Sequence, residues 1–401
     1  MEINMEKGIS NVKKGVLIVK KEKIFYFCII LWIVFSVFLG RTTITERIKN
    51  NLLFYTYGRY LVYVILCLLL CFDTYKKTSF ISIIISASIF LVSAFLSREK
   101  VVISVLLFCI ASKYAKPKKV VKYFLITHLL IVTFTMILSS CGIISENLMH
   151  RGEIARLSYG FSHPNAIGVE MLVILLSYFY LRQQKIRWID YILWIIILIW
   201  FFDRTNCKTT IIVAVLFLIS FFITNFFNSK KLHQRIYWFS NIILITVVAS
   251  SLYLTFFFDE QNRFMKKIDI LLSFRPTIMF QAYQNFGISL FGHHVDLNMV
   301  DNSFIRLLLL NGLLFFCLYI IFLCVDLRYF YKRRDTIGLL IMTAMILTGF
   351  CENVLFRMEY NFPLMLAANY MFMNIVDLDT GRKIQKERNS VDVKSINRAQ
   401  I

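Results

Sequence analysis

Residues 24–40, "IFYFCIILWIVFSVFLG", form one apolar run of seventeen residues without a charged side chain. As a helix it would rise about 26 Å at roughly 1.5 Å per residue, close to the roughly 30 Å hydrocarbon core of a bilayer. Runs of this kind recur at about 58–72, 79–97, 101–115, 120–141, 165–181, 187–203, 209–228, 236–258, 303–325, 336–351 and 361–376. The expected fold class is therefore an all-α polytopic integral membrane protein, with about twelve transmembrane helices and long extracytoplasmic loops. Composition agrees: 58% of the 401 residues are hydrophobic, 39 are Phe, and the mean hydropathy is +0.66, whereas soluble domains are roughly 45–50% apolar. The chain divides into a basic leader (1–23), a membrane domain (24–376) and a polar tail (377–401), which leaves no soluble domain of useful size.

The net charge of +21 does not point to nucleic acid. Of the 45 Lys and Arg, 28 fall on the side that holds both termini and 15 on the other; Lys122 and Arg306 lie within apolar runs. That bias is the positive-inside pattern and places both termini in the cytoplasm. The inner connections ("KYAKPKK", "RQQKIR", "SKKLHQR") are too short to hold a catalytic domain. The nine cysteines are scattered, mostly within apolar runs, with no CxxC pair, so neither a disulfide framework nor a zinc site is expected.

On the outer side, the connections around Arg98, Asp203 and Arg357 are tight, whereas 41–57, 142–164 and 259–302 are long. Structureless loops beyond about 12–15 residues are uncommon unless functional or disordered. Within the last, Phe264, Ile268, Leu271 and Leu272 recur at helical spacing, predicting a short interfacial helix. Four of the six histidines (His150, His163, His293, His294) fall in the two longest outer loops. Each could be a solvated loop residue; together they raise the odds of acid–base chemistry. Arg151 and Arg156 precede His163, and Arg263 and Arg275 precede His293 and His294. Arginine binds phosphate bidentately, though these could also contact lipid headgroups.

In "VDNSFIRLLLLNG", Asp301, Asn302 and Ser303 stand where a helix N-cap belongs. Capping accounts for only one of the three, which leaves Asp301 as an active carboxylate or an orienter of histidine. Arg306 and Glu170 each lie about one turn inside a run, where charge is expensive and often functional; with Glu352 they are expected near the outer surface. There is no phosphate-binding P-loop, Gly-rich dinucleotide turn or zinc-spaced His/Glu helix, so no cofactor and no metal are expected. The "DLD" at Asp377–Asp379 reads as a solvated tail.

The segments "RLSYGFSHPNAIG" and "SFRPTIMFQAYQNFGISLFG…VDNSFIRLLLLNG" resemble those of the Wzy-type polysaccharide polymerases of bacterial capsule and O-antigen synthesis, within the O-antigen ligase/polymerase superfamily. They cover roughly a fifth of the chain; elsewhere the likeness is one of topology and hydropathy. The resemblance implies a multi-pass protein of the bacterial cytoplasmic membrane with its active site facing outside. It would be a metal-independent glycosyltransferase joining undecaprenyl-diphosphate-linked repeat units, working beside a flippase and a chain-length regulator. His163, Asp301, Arg156 and Arg275 would then be catalytic, with His163 the first choice of base. Arg151, Arg263, His293, His294, Asn165, Asn302 and Arg306 would bind diphosphate or glycan, and Pro164, Gly160 and Gly168 would bend the loop toward a groove. A ligase of finished polymer, a polysaccharide flippase and a non-enzymatic scaffold are the alternatives; unequal outer loops and few charges through the bundle speak against a flippase.

Overall fold

The computed structural model describes residues 20–48, 51–71, 77–151, 153–183, 185–227, 229–297 and 299–371. The 377–401 tail with its Asp377–Asp379 pair, and most of the leader, lie outside these residues. Each of the twelve apolar runs is helical where described: α1 (Lys20–Arg41), α2 (Asn51–Cys71), α3 (Lys77–Ser97), α4 (Val101–Ala111), α5 (Pro117–Ser140), α6 (Pro164–Arg182), α7 (Trp188–Thr205), α8 (Lys208–Phe226), α9 (Lys230–Phe256), α12 (Ser303–Lys332), α13 (Thr336–Gly349) and α14 (362–371). By length and composition seven of them can cross a membrane: α1, α2, α5, α6, α8, α9 and α12. Phe95, Leu130, Ile199, Phe226 and Ile245 are each more than 60% exposed. Apolar surface so extensive fits a membrane-embedded protein.

Helix starts follow from local chemistry. Pro117 and Pro164 open α5 and α6, where a missing N–H costs no hydrogen bond. Ser229, Asn302 and Asp335 cap α9, α12 and α13 by accepting backbone N–H groups. Inside α12 a π-turn spans Leu307–Asn311, and Gly312 follows at φ +87°. A Cβ there would lie 2.2 Å from the Gly292 nitrogen, so glycine lets the 289–293 segment dock on the bulge.

The 259–302 segment holds two helices. The first, α10 (Arg263–Leu271), matches the spacing; Phe264 and Leu271 are exposed while Asp269 is buried against Thr277. The second, α11 (Arg275–Phe286), was not legible as a helix, and Pro276 sits in its first turn. A two-stranded hairpin, β1 (Met149–Arg151) and β2 (Ile154–Arg156), lies in the other long loop.

Two expectations change. The connection around Arg357 is not a tight surface turn: residues 351–361 form a buried irregular segment with Leu355, Met358 and Asn361 at 0% exposure. Such backbone is tolerated at membrane depth only inside protein. Nor is the bundle short of ionisable groups. His128, midway along α5, and Glu170, on α6, are both fully buried and meet at 2.5 Å, so Glu170 is an interior residue. Asp326, on α12, is fully buried too, and neither carboxyl oxygen has a partner among the described residues.

Candidate functional site

The bent segment after β2 is fixed by a residue the sequence reading passed over. Glu146 Oε1 accepts the Ser158 and Tyr159 N–H groups at 2.6 and 2.7 Å, holding the turn at Tyr159 (φ +52°) and Gly160 (φ +80°). Gly168 plays no part in the bend. It lies within α6, where Thr210 and Cys207 would be 2.9 and 3.1 Å from an added Cβ, so its role is close helix packing.

A polar chain runs from this segment across the end of the bundle. Arg156 is buried; its Nε donates to the Thr205 carbonyl at 2.8 Å and its Nη2 to Asn165 Oδ1 at 2.6 Å. Asn165 Nδ2 donates to Glu352 Oε1 at 2.9 Å, and Arg275 Nη2 reaches the same oxygen at 2.9 Å. That nitrogen is also 3.5 Å from Asp301 Oδ2. Arg275 Nε is buried without a partner among the described residues.

Beside this chain lies a cavity of about 110 Å³ whose lining includes Arg41, His163, Asn165, Asp301, Glu352 and Tyr360. Arg41, from the end of α1, carries no side-chain hydrogen bond or ion pair among the described residues. Sequence reasoning missed it because it reads as an ordinary basic flank to α1. Glu352 was noted only as a surface charge. The signal that could have found it is an acid in a connection otherwise rich in buried apolar residues.

His163 is the N-cap of α6: its Nδ1 accepts the Asn165 N–H at 2.9 Å. That bond assigns the neutral imidazole proton to Nε2, leaving a donor and no free basic nitrogen. Burial, and then the charges of Arg156, Arg275, Arg151 and Arg41, push its pKa down to about 4. Burial drives Glu352 up to about 8 against the pull of Arg275, with Asp301 adding to the rise. Asp301, at the cavity mouth, is also raised by desolvation, opposed by Arg275, Arg41, Arg306 and Arg357. It keeps solvent contact and has four arginines around it, so it ionises before Glu352.

The other expected residues separate. Asn302 is committed to structure: its Oδ1 caps Phe304 and Ile305, and its Nδ2 donates to Ser251 Oγ and the Phe350 carbonyl, at 1% exposure. A ligand-binding role for it is set aside. Arg306 binds the Leu297 carbonyl and lies 3.6 Å from Glu99, which accounts for its charge locally. His293, His294 and Arg263 do not line the cavity. Arg151 stands at the edge of the polar chain, its Nη1 3.5 Å from the Asn206 carbonyl; burial and the like charges of Arg156 and Arg275 press its pKa down. Among the described residues no group of three His, Cys, Asp or Glu is placed to hold a metal ion. Comparisons with protein-family models, with curated proteins and with solved structures return no match for this chain.

Proposed function

We propose that this chain polymerises undecaprenyl-diphosphate-linked oligosaccharide repeat units at the outer face of the bacterial cytoplasmic membrane, as a twelve-span glycosyltransferase. The observation that carries the reading is one small cavity lined by Arg41, His163 and Asp301, with Arg275 behind its wall 3.5 Å from Asp301 and 2.9 Å from Glu352, joined to the motif-bearing loop through Asn165 and Arg156. An excess of guanidinium around one accessible carboxylate suits a reaction that needs a base and creates an anion.

In that reaction the acceptor sugar hydroxyl attacks the anomeric carbon of the growing chain. Asp301 takes the hydroxyl proton, the new C–O bond forms, and the bond to the lipid diphosphate breaks with its electron pair on the departing phosphate. Arg41 and Arg275, whose Nε is a donor in want of an acceptor, face that growing charge. His163 contributes its Nε2–H as a hydrogen-bond donor, and Arg156 and Asn165 hold Glu352 and Arg275 in place. Undecaprenyl diphosphate leaves with the membrane, and the Asp301 proton passes to solvent.

A second reading, a polysaccharide flippase, gains from the buried His128–Glu170 pair and Asp326, since ionisable groups inside a bundle often mark transport pathways. Lipid-linked glycans from a deletion strain separate the readings. Loss of a polymerase leaves single repeat units at the outer face; loss of a flippase leaves them inside; loss of a ligase leaves long lipid-linked polymer.

A further inference from the structure

Three cavities line up along α8. The first, of about 310 Å³, has Arg151, Lys208 and Arg275 at its head and Leu216 and Leu347 below. It shares Asn165 and Glu352 with the site cavity. The second, of about 290 Å³, runs between α8, α9 and α13, and shares Val213, Leu216 and Leu347 with the first. The third, of about 930 Å³, opens at the opposite end of the bundle and shares Thr224 and Leu232 with the second. The result is one seam, apolar through its middle and basic at both ends, with Arg151, Lys208 and Arg275 at the head and Lys116, Lys118, Lys119, Arg333 and Arg334 at the far mouth. Leu216, Ile223 and Phe239 are 47%, 40% and 61% exposed, so it is open sideways to lipid.

Length discriminates between occupants. From Lys208 to Thr224 the seam runs about 24 Å along α8 at roughly 1.5 Å per residue. An acyl chain confined to one leaflet reaches about 15 Å, half of the roughly 30 Å core. The seam suits a chain longer than a leaflet is deep. Its head is also anion-seeking: Lys208 has no side-chain hydrogen bond or ion pair among the described residues, and Arg275 Nε lacks an acceptor. A head placed at the far mouth would sit about 24 Å along α8 from Lys208, at roughly 1.5 Å per residue, away from the end of the bundle that holds Asp301.

We infer that the seam of α8, α9 and α13 is the binding groove for the chain of a polyprenyl diphosphate, with its phosphates at Arg151, Lys208 and Arg275. The choice of carrier lipid rests on the polymerase reading. The groove delivers the diphosphate to the wall formed by Glu352 and Asn165, beyond which lies Asp301. Rims partly exposed to lipid let the chain enter and leave sideways, without crossing the bundle end.

The test uses the full chain in vesicles of phosphatidylethanolamine and phosphatidylglycerol. Two photoreactive probes are added separately, a benzophenone-tagged undecaprenyl diphosphate and a benzophenone-tagged phosphatidylglycerol. The polyprenyl probe is expected to crosslink within 212–224 and 340–347, with untagged undecaprenyl diphosphate competing. Leu216→Trp and Ser220→Trp, which fill the groove, should lower that crosslinking at least fivefold. Ile219→Trp, on the lipid-facing side of α8, should leave it within twofold. Crosslinking of the phospholipid probe there without competition by undecaprenyl diphosphate overturns the inference, as does polyprenyl crosslinking unchanged in both groove variants. A polymerisation assay on the same preparations keeps the two readings apart. Polymer made normally by both groove variants sinks the groove and leaves the polymerase standing. Groove crosslinking by a protein that forms no polymer from lipid-linked repeats sinks the polymerase reading and leaves a polyprenyl diphosphate site.

Discussion

Asn165 Nδ2 donates to Glu352 Oε1 at 2.9 Å, across 187 positions of sequence. This bond ties the start of α6 to the buried segment before α14. Because Asn165 Oδ1 accepts from Arg156, and Glu352 Oε1 also accepts from Arg275, the two long loops meet through one amide and one carboxylate. The arginines that would otherwise look like separate surface charges belong to one connected unit.

Arg156→Lys should therefore act through position. Lysine keeps the charge, but one ammonium cannot reproduce the fork that joins the Thr205 carbonyl to Asn165. Loss of a charge-assisted hydrogen bond in a buried network should cost about 1.5–3 kcal/mol of stability, read as a lower midpoint of thermal unfolding in detergent. Activity should fall in kcat more than in KM, with the protein still inserted at wild-type level. An unchanged kcat with a raised KM would make Arg156 a direct ligand of substrate.

Glu352 sets a pH dependence with a definite sign. Its pKa is raised on folding, from an ordinary 4.5 to about 8, so the native state binds more protons between those values. The contribution to stability is full below about 4.5 and is lost as pH rises through about 8. Ionised Glu352 also neutralises Arg275, so affinity for undecaprenyl diphosphate should weaken over the same range. Glu352→Gln should flatten both the melting-temperature and the affinity profiles between pH 6 and 9. Profiles as steep as wild type would place the titrating group elsewhere.

His163 carries the opposite expectation from a free loop histidine. With its pKa near 4 and Nδ1 engaged in the cap, His163 should add no step of its own to the activity profile between about pH 7.5 and 5, so His163→Asn should keep the shape of the wild-type profile. His163→Asn keeps a capping acceptor and should retain wild-type stability, whereas His163→Ala should lose about 0.5–2 kcal/mol, as helix caps do. Both should reduce turnover by removing the Nε2–H donor. Loss of activity with an apparent pKa near 6.5 would restore the histidine as a base.

How much of this was legible follows from what each signal depends on. The apolar runs give every helix of the bundle because membrane burial needs only a contiguous composition. The motif segments mark His163, Asn165, Arg156, Arg275 and Asp301, all of which reach the polar chain or the cavity. The sequence does not separate capping from chemistry: it places a cap among Asp301, Asn302 and Ser303 without saying that Asn302 is the one, and only geometry shows His163 as a cap. Arg41 and Glu352 were obscure because they meet the site through residues far off in sequence, Glu352 through Arg275 and Asn165, 77 and 187 positions away. The His128–Glu170 pair was hidden for the same reason, since a lone polar residue in an apolar run does not disclose its partner.

The orientation rests on the 28-to-15 split of basic residues. In a cysteine-free background, Glu153→Cys and Asp296→Cys should react with an impermeant maleimide added outside intact cells. Lys118→Cys and Arg334→Cys, at the opposite end, should react only after permeabilisation. The reverse pattern would put the Asp301 cavity in the cytoplasm, where lipid-linked repeats are assembled and not yet polymerised.

Asp301→Asn is the decisive substitution for the chemistry. Asparagine preserves size and can accept a hydrogen bond at the cavity mouth, but it cannot take a proton from the attacking hydroxyl. Loss of general-base catalysis typically costs about 10²–10⁴-fold, and it should appear in kcat with KM for the lipid-linked repeat nearly unchanged. Because Asp301 lies 3.5 Å from Arg275 and retains 45% side-chain exposure, its removal should change stability little, so inactivity would not reflect unfolding. Asp301→Glu should recover part of the activity if a carboxylate within reach is what matters. A loss below tenfold in Asp301→Asn would leave the arginines as an anion site without its base, and would favour transport of the lipid-linked glycan over its polymerisation.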